Sequence, residues 1–197
     1  MKPLLWYNSS TNWLGPTPLY RLNKPEDRAK EYEWLNKLGI SGIKVDFFAG
    51  DSISSMDYYI DLLEDAAKYN LMVNFHGATI PRGWQRTYPH LMSVEAVYGA
   101  EWYNNNGVLT HRAAAHNATL PFTRNVVGPM DYTPGAMISM QPNVYRSERP
   151  NAASIGTRAY QLALFVVFES GLQMLADNPT LYYRNEDCTR FITQVPV

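Results

Sequence analysis

The sequence predicts an α/β fold, a (β/α)8 barrel of the TIM type that is incomplete in this chain. Segments typical of strands and helices alternate from the start, and the strand segments end in polar residues. Strands separated by a single helix run parallel and are joined by right-handed crossovers. A barrel enzyme builds its site at the carboxyl ends of such strands. An open doubly wound sheet is the alternative, but the Gly-rich turn of a nucleotide-binding sheet is absent from the sequence.

The first strand–helix unit begins with a short apolar strand over residues 4–8, which ends in the polar cluster Asn8, Ser9 and Ser10. A loop rich in Pro and Asn follows. Asn23 is the expected N-cap of the first helix, and Pro25 lies in its first turn. Apolar residues then recur at helical spacing until Gly39 ends the run. They are Ala29, Tyr32, Leu35 and Leu38.

The second unit has the same order. Residues 42–48, GIKVDFF, predict a strand, and residues 56–69 predict a helix whose apolar stripe would face the core. The stripe consists of Tyr59, Leu62, Leu63 and Ala66. Residues 71–77, LMVNFHG, predict a further strand with polar residues near its end.

The rest of the chain is less regular. Residues 78–150 are rich in Pro, Gly, Asn, Arg and aromatic residues, and a long irregular stretch in a compact domain is usually functional. Residues 152–168 predict a long helix, residues 172–179 a short strand or turn, and a last helix begins near Asn185. About six strands are expected, whereas a complete barrel has eight and about 250 residues. We therefore expect one partial barrel domain over residues 1–197.

Composition excludes several classes of function. The 197 residues are 46% hydrophobic and 18% charged, as in an ordinary folded domain. The net charge of -1, without a basic stripe, argues against a nucleic-acid partner. No apolar run reaches the roughly 18 residues of a membrane helix, so no membrane partner is expected.

The N-terminal segment and the single cysteine bear on cellular location. The start of the chain becomes polar too early for a signal peptide, so the protein is either cytoplasmic or an internal fragment of a longer one. Cys188 is the only cysteine, which excludes an internal disulfide. The sequence also has no Cys/His cluster with the spacing of a structural zinc site.

Asp46 is the strongest catalytic candidate from the residues alone. It follows Ile43 and Val45 at the end of an otherwise apolar strand, where burial of a carboxylate is costly unless it is functional or paired. The alternative is a structural role, in which Asp46 forms a salt bridge to Lys44. However, the side chains of consecutive residues on a strand point to opposite faces.

Glycoside hydrolysis is one reaction in which a carboxylate such as that of Asp46 takes part. It needs a second carboxyl group, which lies about 5 to 5.5 Å from the first in a retaining enzyme. The candidates are Glu95, Glu101, Asp131 and Glu169. A strand over residues 93–102 would place Glu95 and Glu101 on one face, so that one binds a cation and the other acts as acid/base. On spacing alone, solvated surface charges are an equal alternative.

Sugar binding is suggested by aromatic residues, which make up 13% of the chain and often lie in polar segments. Such rings stack on pyranose faces, although core packing is their usual role. The expected substrate-binding residues lie at the strand ends and in the loop after residue 77. They are Lys44, Asn74, His76, Trp84 and Arg86. A lone strand His is more often structural, and loop arginines such as Arg82 and Arg86 often brace the loop itself.

Several long motifs resemble the catalytic barrel of glycoside hydrolase family 97, in the right order and over nearly the whole chain. They are GIKVDFF at 42–48, NFHG at 74–77, RGWQRTYP at 82–89, LPFTRN at 120–125 and GPMDYTPG at 128–135. That family contains calcium-dependent inverting α-glucosidases and retaining α-galactosidases, found largely in gut Bacteroidetes. Its inverting members lack the strand-end Asp and carry a Glu after the next strand's His. Because this chain has Asp46 and Gly77, it resembles the retaining branch.

The resemblance implies roles for individual residues. Asp46 is the expected nucleophile, Glu101 the general acid/base and Glu95 a ligand of calcium, and the expected substrate is an oligosaccharide or glycoside with a terminal α-galactose. Other α-glycosidase specificities, or a truncated fragment that only binds sugar, are the alternatives.

The chain differs from the family in length. By the resemblance, we expect the family's N-terminal β-sandwich, which supplies a calcium ligand, to be absent from residues 1–197, together with the first barrel strands and the C-terminal domain. An unclosed barrel exposes sheet edges, so we expect self-association through them. The resemblance also implies a periplasmic or secreted location for the full-length protein.

Overall fold

The computed structural model describes residues 3–9, 20–105 and 107–196. The chain divides into two compact units, Met1–Ala96 and Val97–Val197. Ser10 and the loop rich in Pro and Asn, over residues 11–19, lie outside the described residues. No helix in the described part of the chain is both long enough and apolar enough to cross a membrane. The single partial barrel domain expected over residues 1–197 stays a prediction.

The first unit is built on a parallel sheet of four strands in the order β1-β2-β3-β4. The strands are β1 Leu4–Asn8, β2 Gly42–Asp46, β3 Met72–Phe75 and β4 Leu91–Val94. The expected parallel sheet is therefore confirmed, and its first three strands lie where the sequence predicts them. Because all three strand pairs are parallel, the four strands end at the same edge of the sheet.

The helices of this unit lie between the strands. They are α1 Tyr20–Asn23, α2 Pro25–Lys37, α3 Ile53–Lys68 and α4 Trp84–Thr87. The predicted N-cap of α2 is wrong: Asn23 ends α1, and Lys24 takes the cap position without a side-chain hydrogen bond. Ser52 caps α3, since its hydroxyl accepts from Ser55 N at 3.3 Å.

One face of the sheet packs on the helices. The strand residues Ile43, Val45, Val73 and Phe75 are fully buried in the core of this unit. They share that core with the predicted stripe of α3, which is confirmed. Its residues are Tyr59, Leu62, Leu63 and Ala66. Since strand side chains alternate between faces, the residues between these apolar positions lie on the opposite face.

The second unit contains four helices, two strands and four short 3₁₀ helices among its described residues. The α-helices are α5 Gly107–Thr119, α6 Arg158–Val167, α7 Pro179–Tyr183 and α8 Glu186–Gln194. The strands β5 Ile138–Met140 and β6 Ala153–Ile155 pair in parallel. The 3₁₀ helices are Ala100–Asn104, Leu120–Phe122, Arg124–Val127 and Pro142–Val144.

Asp177 binds the backbone directly before both strands of this unit. Its two carboxylate oxygens accept hydrogen bonds from Met137 N and Ala152 N, each at 2.7 Å. Burial raises the pKa of Asp177, and these two hydrogen bonds oppose the rise. The segment around Asp177 therefore joins β5 to β6 through side-chain contacts.

Two sequence predictions for this region need correction. The strand expected over residues 93–102 ends at Val94, because Ala96 has a left-handed φ of 36°, and Glu101 lies in a 3₁₀ helix. The helix expected over residues 152–168 is a strand followed by α6, because Gly156 turns the chain at φ 124° and Thr157 caps α6.

Where a short strand or turn is expected over residues 172–179, the chain bends without forming a strand, and α7 begins at Pro179. The last helix begins at Glu186 directly after Asn185, as predicted. The described residues contain six strands, in agreement with the expected number. That these strands belong to an incomplete (β/α)8 barrel stays a prediction.

Candidate active site

A row of polar side chains lies at the carboxyl ends of the four strands of the first unit. Asn8 and Asp46 are partners in the β1–β2 register. His76 and Glu95 extend the ladder, since His76 N donates to Val45 O at 2.9 Å and Glu95 N to Phe75 O at 2.8 Å. All four side chains are buried. This is the edge of the sheet where a parallel α/β enzyme places its site.

A second polar layer lies one step below on the same face. Register pairs Trp6 with Lys44, Lys44 with Asn74, and Asn74 with Ser93. Each is two residues before a member of the strand-end row, so both layers lie on the face that α3 does not cover.

Asp46 is held by three hydrogen bonds. Its Oδ1 accepts from Phe47 N at 2.8 Å and contacts His76 Nδ1 at 3.3 Å, while its Oδ2 accepts from Trp6 Nε1 at 3.0 Å. Burial acts to raise the pKa of Asp46, but the hydrogen bond and charge of His76, with the Trp6 and Phe47 donors, lower it below its ordinary value. A buried carboxylate that stays ionised at neutral pH is suited to act as a nucleophile.

His76 lies between two carboxylates. Its Nδ1 is 3.3 Å from Asp46 Oδ1, and its Nε2 is 3.3 Å from Glu95 Oε1. Burial acts to lower the pKa of His76, but the hydrogen bond to Asp46 and the charges of Glu95 and Asp46 raise it above its ordinary value. Only the imidazolium form donates from both ring nitrogens, so protonated His76 satisfies both carboxylates at once.

Glu95 fits the role of a calcium ligand in part. Its carboxylate is buried, and its Oε2 accepts from Gly77 N at 2.7 Å, which fixes the side chain. Calcium takes six to eight oxygen ligands, and one carboxylate supplies at most two. Glu95 is therefore suited to be one ligand among several.

Gly77 packs directly against the Asp46 carboxylate. It has a left-handed φ of +50°, and a Cβ built on it would lie 2.9 Å from Asp46 Oδ1 and 2.9 Å from Phe47 N. Real Cβ atoms do not approach other atoms so closely. The geometry of Asp46 thus requires glycine at position 77.

The five predicted sugar-binding residues lie at different depths. His76 is in the strand-end row, and Lys44, in the layer below, is near enough that its charge acts to lower the pKa of His76. Asn74 is fully buried and donates to Ser93 Oγ at 2.6 Å, so this contact is to the neighbouring strand. Trp84 packs on Tyr59 with ring centroids 5.2 Å apart. Arg86 is exposed at the end of α4, and the sugar-binding roles stay predictions.

A cavity of about 300 Å³ opens beside this row. Its lining includes Gly77, Tyr59 and the segment after Gly77, where Thr79 N donates to Tyr59 OH at 3.0 Å. Small-molecule sites in proteins begin at about this volume.

The other predicted carboxylates lie in the second unit. Glu101 is exposed in the first turn of the 3₁₀ helix Ala100–Asn104. Asp131 is 1% exposed, and its Oδ1 accepts from Met174 N at 3.3 Å, a contact that fixes a loop. Glu169 is exposed, and its backbone oxygen accepts from Met130 N. Of the alternatives to Glu101, Asp131 has a structural contact and little access to a substrate.

Sequence reasoning missed Trp6. Its indole donates to Asp46 across 40 residues of chain. The sequence does indicate one thing about Trp6: it lies two residues before Asn8, on a strand parallel to that of Asp46. This spacing places Trp6, Asn8 and Asp46 on one face of the sheet. The register that brings Trp6 beside Asp46 was not readable from either segment alone.

Comparison with known proteins finds similarity to one family of glycoside hydrolases. The model of the glycoside hydrolase 97 family matches residues 1–97. A probable retaining alpha-galactosidase of Streptomyces bingchenggensis is 42% identical over 175 residues, and a retaining alpha-galactosidase of Bacteroides thetaiotaomicron is 38% identical over 201 residues. Over these residues the chain is similar to enzymes of glycoside hydrolase family 97.

The match covers most of this chain but only part of each relative. It includes 89% of the chain and 25% of the Streptomyces protein, and 100% of the chain and 30% of the Bacteroides protein. The crystal structure of a beta-arabinopyranosidase superposes with a TM-score of 0.84 at 34% identity, over 98% of this chain and 31% of that one. The α/β fold with a parallel sheet is therefore similar to that of this structure and of a glycoside hydrolase family 97 enzyme from Pseudoalteromonas sp. strain K8, which superposes with a TM-score of 0.77 at 27% identity.

Replacement of Gly77 by alanine tests the close approach to Asp46. We expect Gly77→Ala to lower the free energy of unfolding by more than the roughly 1 to 2 kcal/mol that a left-handed non-glycine residue costs, because the new Cβ also displaces Asp46 or Phe47. Gly39→Ala is the matched control, since Gly39 has φ +75° and nothing within 4 Å of its Cβ position. Urea unfolding of both variants measures the difference. Equal losses in the two variants would show that position 77 tolerates a side chain.

Proposed function

We propose that this chain carries the catalytic groups of a retaining glycoside hydrolase that releases terminal α-galactose. The observation that carries the proposal is the buried Asp46 carboxylate at the strand ends, held by three donors and kept ionised. Two relatives described as retaining alpha-galactosidases or probable ones support the specificity. A strand-end aspartate and a following His–Gly pair are the features in which the chain resembles the retaining branch.

The reaction proceeds in two displacements. In the first, an oxygen of Asp46 forms a bond to the anomeric carbon while the glycosidic C–O bond breaks, and Glu101 protonates the departing oxygen. In the second, Glu101 removes a proton from water, the water oxygen bonds to the anomeric carbon, and Asp46 leaves as a carboxylate. Two inversions give net retention.

The charges around Asp46 fit this role. The lowered pKa of Asp46 keeps its carboxylate ionised at neutral pH. A protonated carboxyl group would not attack the anomeric carbon. His76 contacts one oxygen of Asp46, and its raised pKa favours the protonated form, which would supply positive charge beside the carboxylate. Lys44, Asn74, His76, Trp84 and Arg86 are the residues that we propose to bind the sugar.

Calcium is the proposed metal, and Glu95 is its proposed ligand in this chain. Calcium would supply a hard cation that binds and orients sugar hydroxyl groups near the reacting centre. Glu95 is buried and fixed by Gly77 N, so it presents its carboxylate in one orientation.

The beta-arabinopyranosidase structure favours a second specificity. β-L-Arabinopyranose has the ring configuration of α-D-galactopyranose without the C6 hydroxymethyl group, so one pocket can accept both sugars. Turnover of aryl α-galactoside and aryl β-L-arabinopyranoside by the same preparation distinguishes the two specificities. A higher kcat/KM for the arabinoside would assign the second.

Removal of the Asp46 carboxylate tests the nucleophile. We expect Asp46→Gly to lose turnover of an aryl α-galactoside, and azide to restore it by attacking the anomeric carbon from the vacated side. The product would be a β-galactosyl azide, identified by NMR. Asp57→Asn, at an exposed position of α3, is the control and keeps wild-type rates. Wild-type rates in Asp46→Gly would remove Asp46 from the mechanism.

Glu101 is tested by the dependence of its effect on the leaving group. We expect Glu101→Gln to slow substrates with a poor leaving group by roughly 10²- to 10⁴-fold, the usual contribution of general acid catalysis, and dinitrophenyl galactoside much less. Glu186→Gln changes an exposed carboxylate of the same unit and serves as the control. An equal loss on both substrates would contradict the acid role.

Calcium binding is tested by titration calorimetry together with activity. We expect chelation to abolish turnover and added calcium to restore it, and Glu95→Gln to weaken calcium binding at least about tenfold, the loss that even outer partners of a metal site produce. Glu33→Gln, at an exposed position of α2, is the control. Unchanged affinity in Glu95→Gln would exclude Glu95 as a ligand.

A further inference from the structure

Trp6 contacts the proposed nucleophile from the neighbouring strand. It is 38% exposed, and its Nε1 donates to Asp46 Oδ2 at 3.0 Å. Its ring meets Phe47 edge-on, with centroids 6.0 Å apart and an interplanar angle of 78°. Phe47 is also the residue whose N–H binds Asp46 Oδ1 at 2.8 Å. Trp6 and the backbone after Asp46 therefore hold the carboxylate from two sides.

The donors are divided unequally between the two oxygens of Asp46. Each carboxylate oxygen has two lone pairs that can accept. Oδ1 receives Phe47 N at 2.8 Å and His76 Nδ1 at 3.3 Å, whereas Oδ2 receives Trp6 Nε1 alone among the described residues. Gly77 also packs on Oδ1, since its Cβ position lies 2.9 Å from that oxygen. Oδ2 thus keeps a lone pair for bonding.

We propose that Trp6 is a positioning residue that orients the Asp46 carboxylate so that Oδ2 is the oxygen that bonds to the anomeric carbon. This inference rests on the proposed retaining function. The indole N–H blocks rotation of the carboxylate about its Cβ–Cγ bond, because rotation would break the bond to Trp6 together with those to Phe47 and His76.

Both displacements then follow at defined atoms. As Oδ2 donates its remaining lone pair to the anomeric carbon, the electron pair of the glycosidic bond passes to the departing oxygen, which takes the proton of Glu101. Oδ1 becomes the ester carbonyl and keeps its contacts with Phe47 N and His76. When water displaces the sugar, the bonding electron pair returns to Oδ2, and the Trp6 N–H stabilises the negative charge that reappears there.

Loss of the indole N–H should therefore change chemistry more than binding. We expect Trp6→Phe to lower kcat on an aryl α-galactoside roughly 10- to 100-fold with little change in KM, since small misplacements of a reacting group cost rates of this order. The acid limb of kcat/KM should move up by about one pH unit, because a donor to the ionised carboxylate is lost. His76 and, beyond it, Glu95 and Lys44 are the other charged groups near Asp46, and the substitution removes none of them.

The experiment measures covalent trapping in the full chain. Wild type, Trp6→Phe and a variant with 3-benzothienylalanine at position 6 are incubated with 5-fluoro-α-galactosyl fluoride, and the labelled peptide is identified by mass spectrometry. Benzothienylalanine keeps the bicyclic shape and replaces only the N–H, so a folding defect in Trp6→Phe does not decide the result. Trp34→Phe, at an exposed position of α2, is the control and labels at the wild-type rate.

The expected result is labelling of Asp46 in every form, slowed at least about tenfold in both position 6 variants. Wild-type labelling rates with an unshifted acid limb in the benzothienylalanine variant would overturn the role of Trp6 while leaving Asp46 as the nucleophile. A wild-type chain that turns over substrate and is labelled at another residue would overturn the nucleophile, and with it this inference.

Discussion

The chain of charges Asp46, His76 and Glu95 is the interaction on which the rest of the site depends. Two carboxylates buried at the ends of β2 and β4 repel each other and lose hydration, so both cannot stay ionised without a positive partner. His76 reaches one with each ring nitrogen, at 3.3 Å in both cases. The Gly77 N–H completes the arrangement by binding Glu95. His76 and Gly77, the two residues that follow β3, thus hold both carboxylates.

The parallel register makes this arrangement available. Alternation on β2 sends Ile43 and Val45 to the helix side and Lys44 and Asp46 to the other, so one strand serves the core and the site at once. The four strands lie side by side in the order in which they occur in the chain. Residues from four separate segments therefore meet in one row at the strand ends. The apolar face supplies the stability that the charged face lacks, since the buried polar groups cost free energy unless they are paired.

The sequence predicted the secondary structure and site residues that depend on local patterns. It did not predict those that depend on contacts between distant segments. Alternation on β2 and the stripe of α3 were readable because each depends on periodicity within one segment. Asp46 was readable because a carboxylate at the end of an apolar strand violates that pattern. Helix α5 was missed since its Ala, His and Asn residues form a weak stripe, with Thr110, Ala113 and Asn117 buried. The partnership of Trp6 with Asp46 depends on strand register, which no local pattern encodes.

The close packing at Gly77 also gives a physical reason for the two branches that the family resemblance implies. A side chain at position 77 would occupy the space of Asp46 Oδ1, so a strand-end aspartate and a side chain after the histidine cannot coexist in this geometry. Phe47 shows the strain at this point, because it holds a left-handed φ of 63° while its N–H binds Asp46. Moving the carboxylate from position 46 to position 77 would therefore require both positions to change together. In this chain, the carboxylate at the end of β2 thus depends on a glycine directly after the histidine that follows β3.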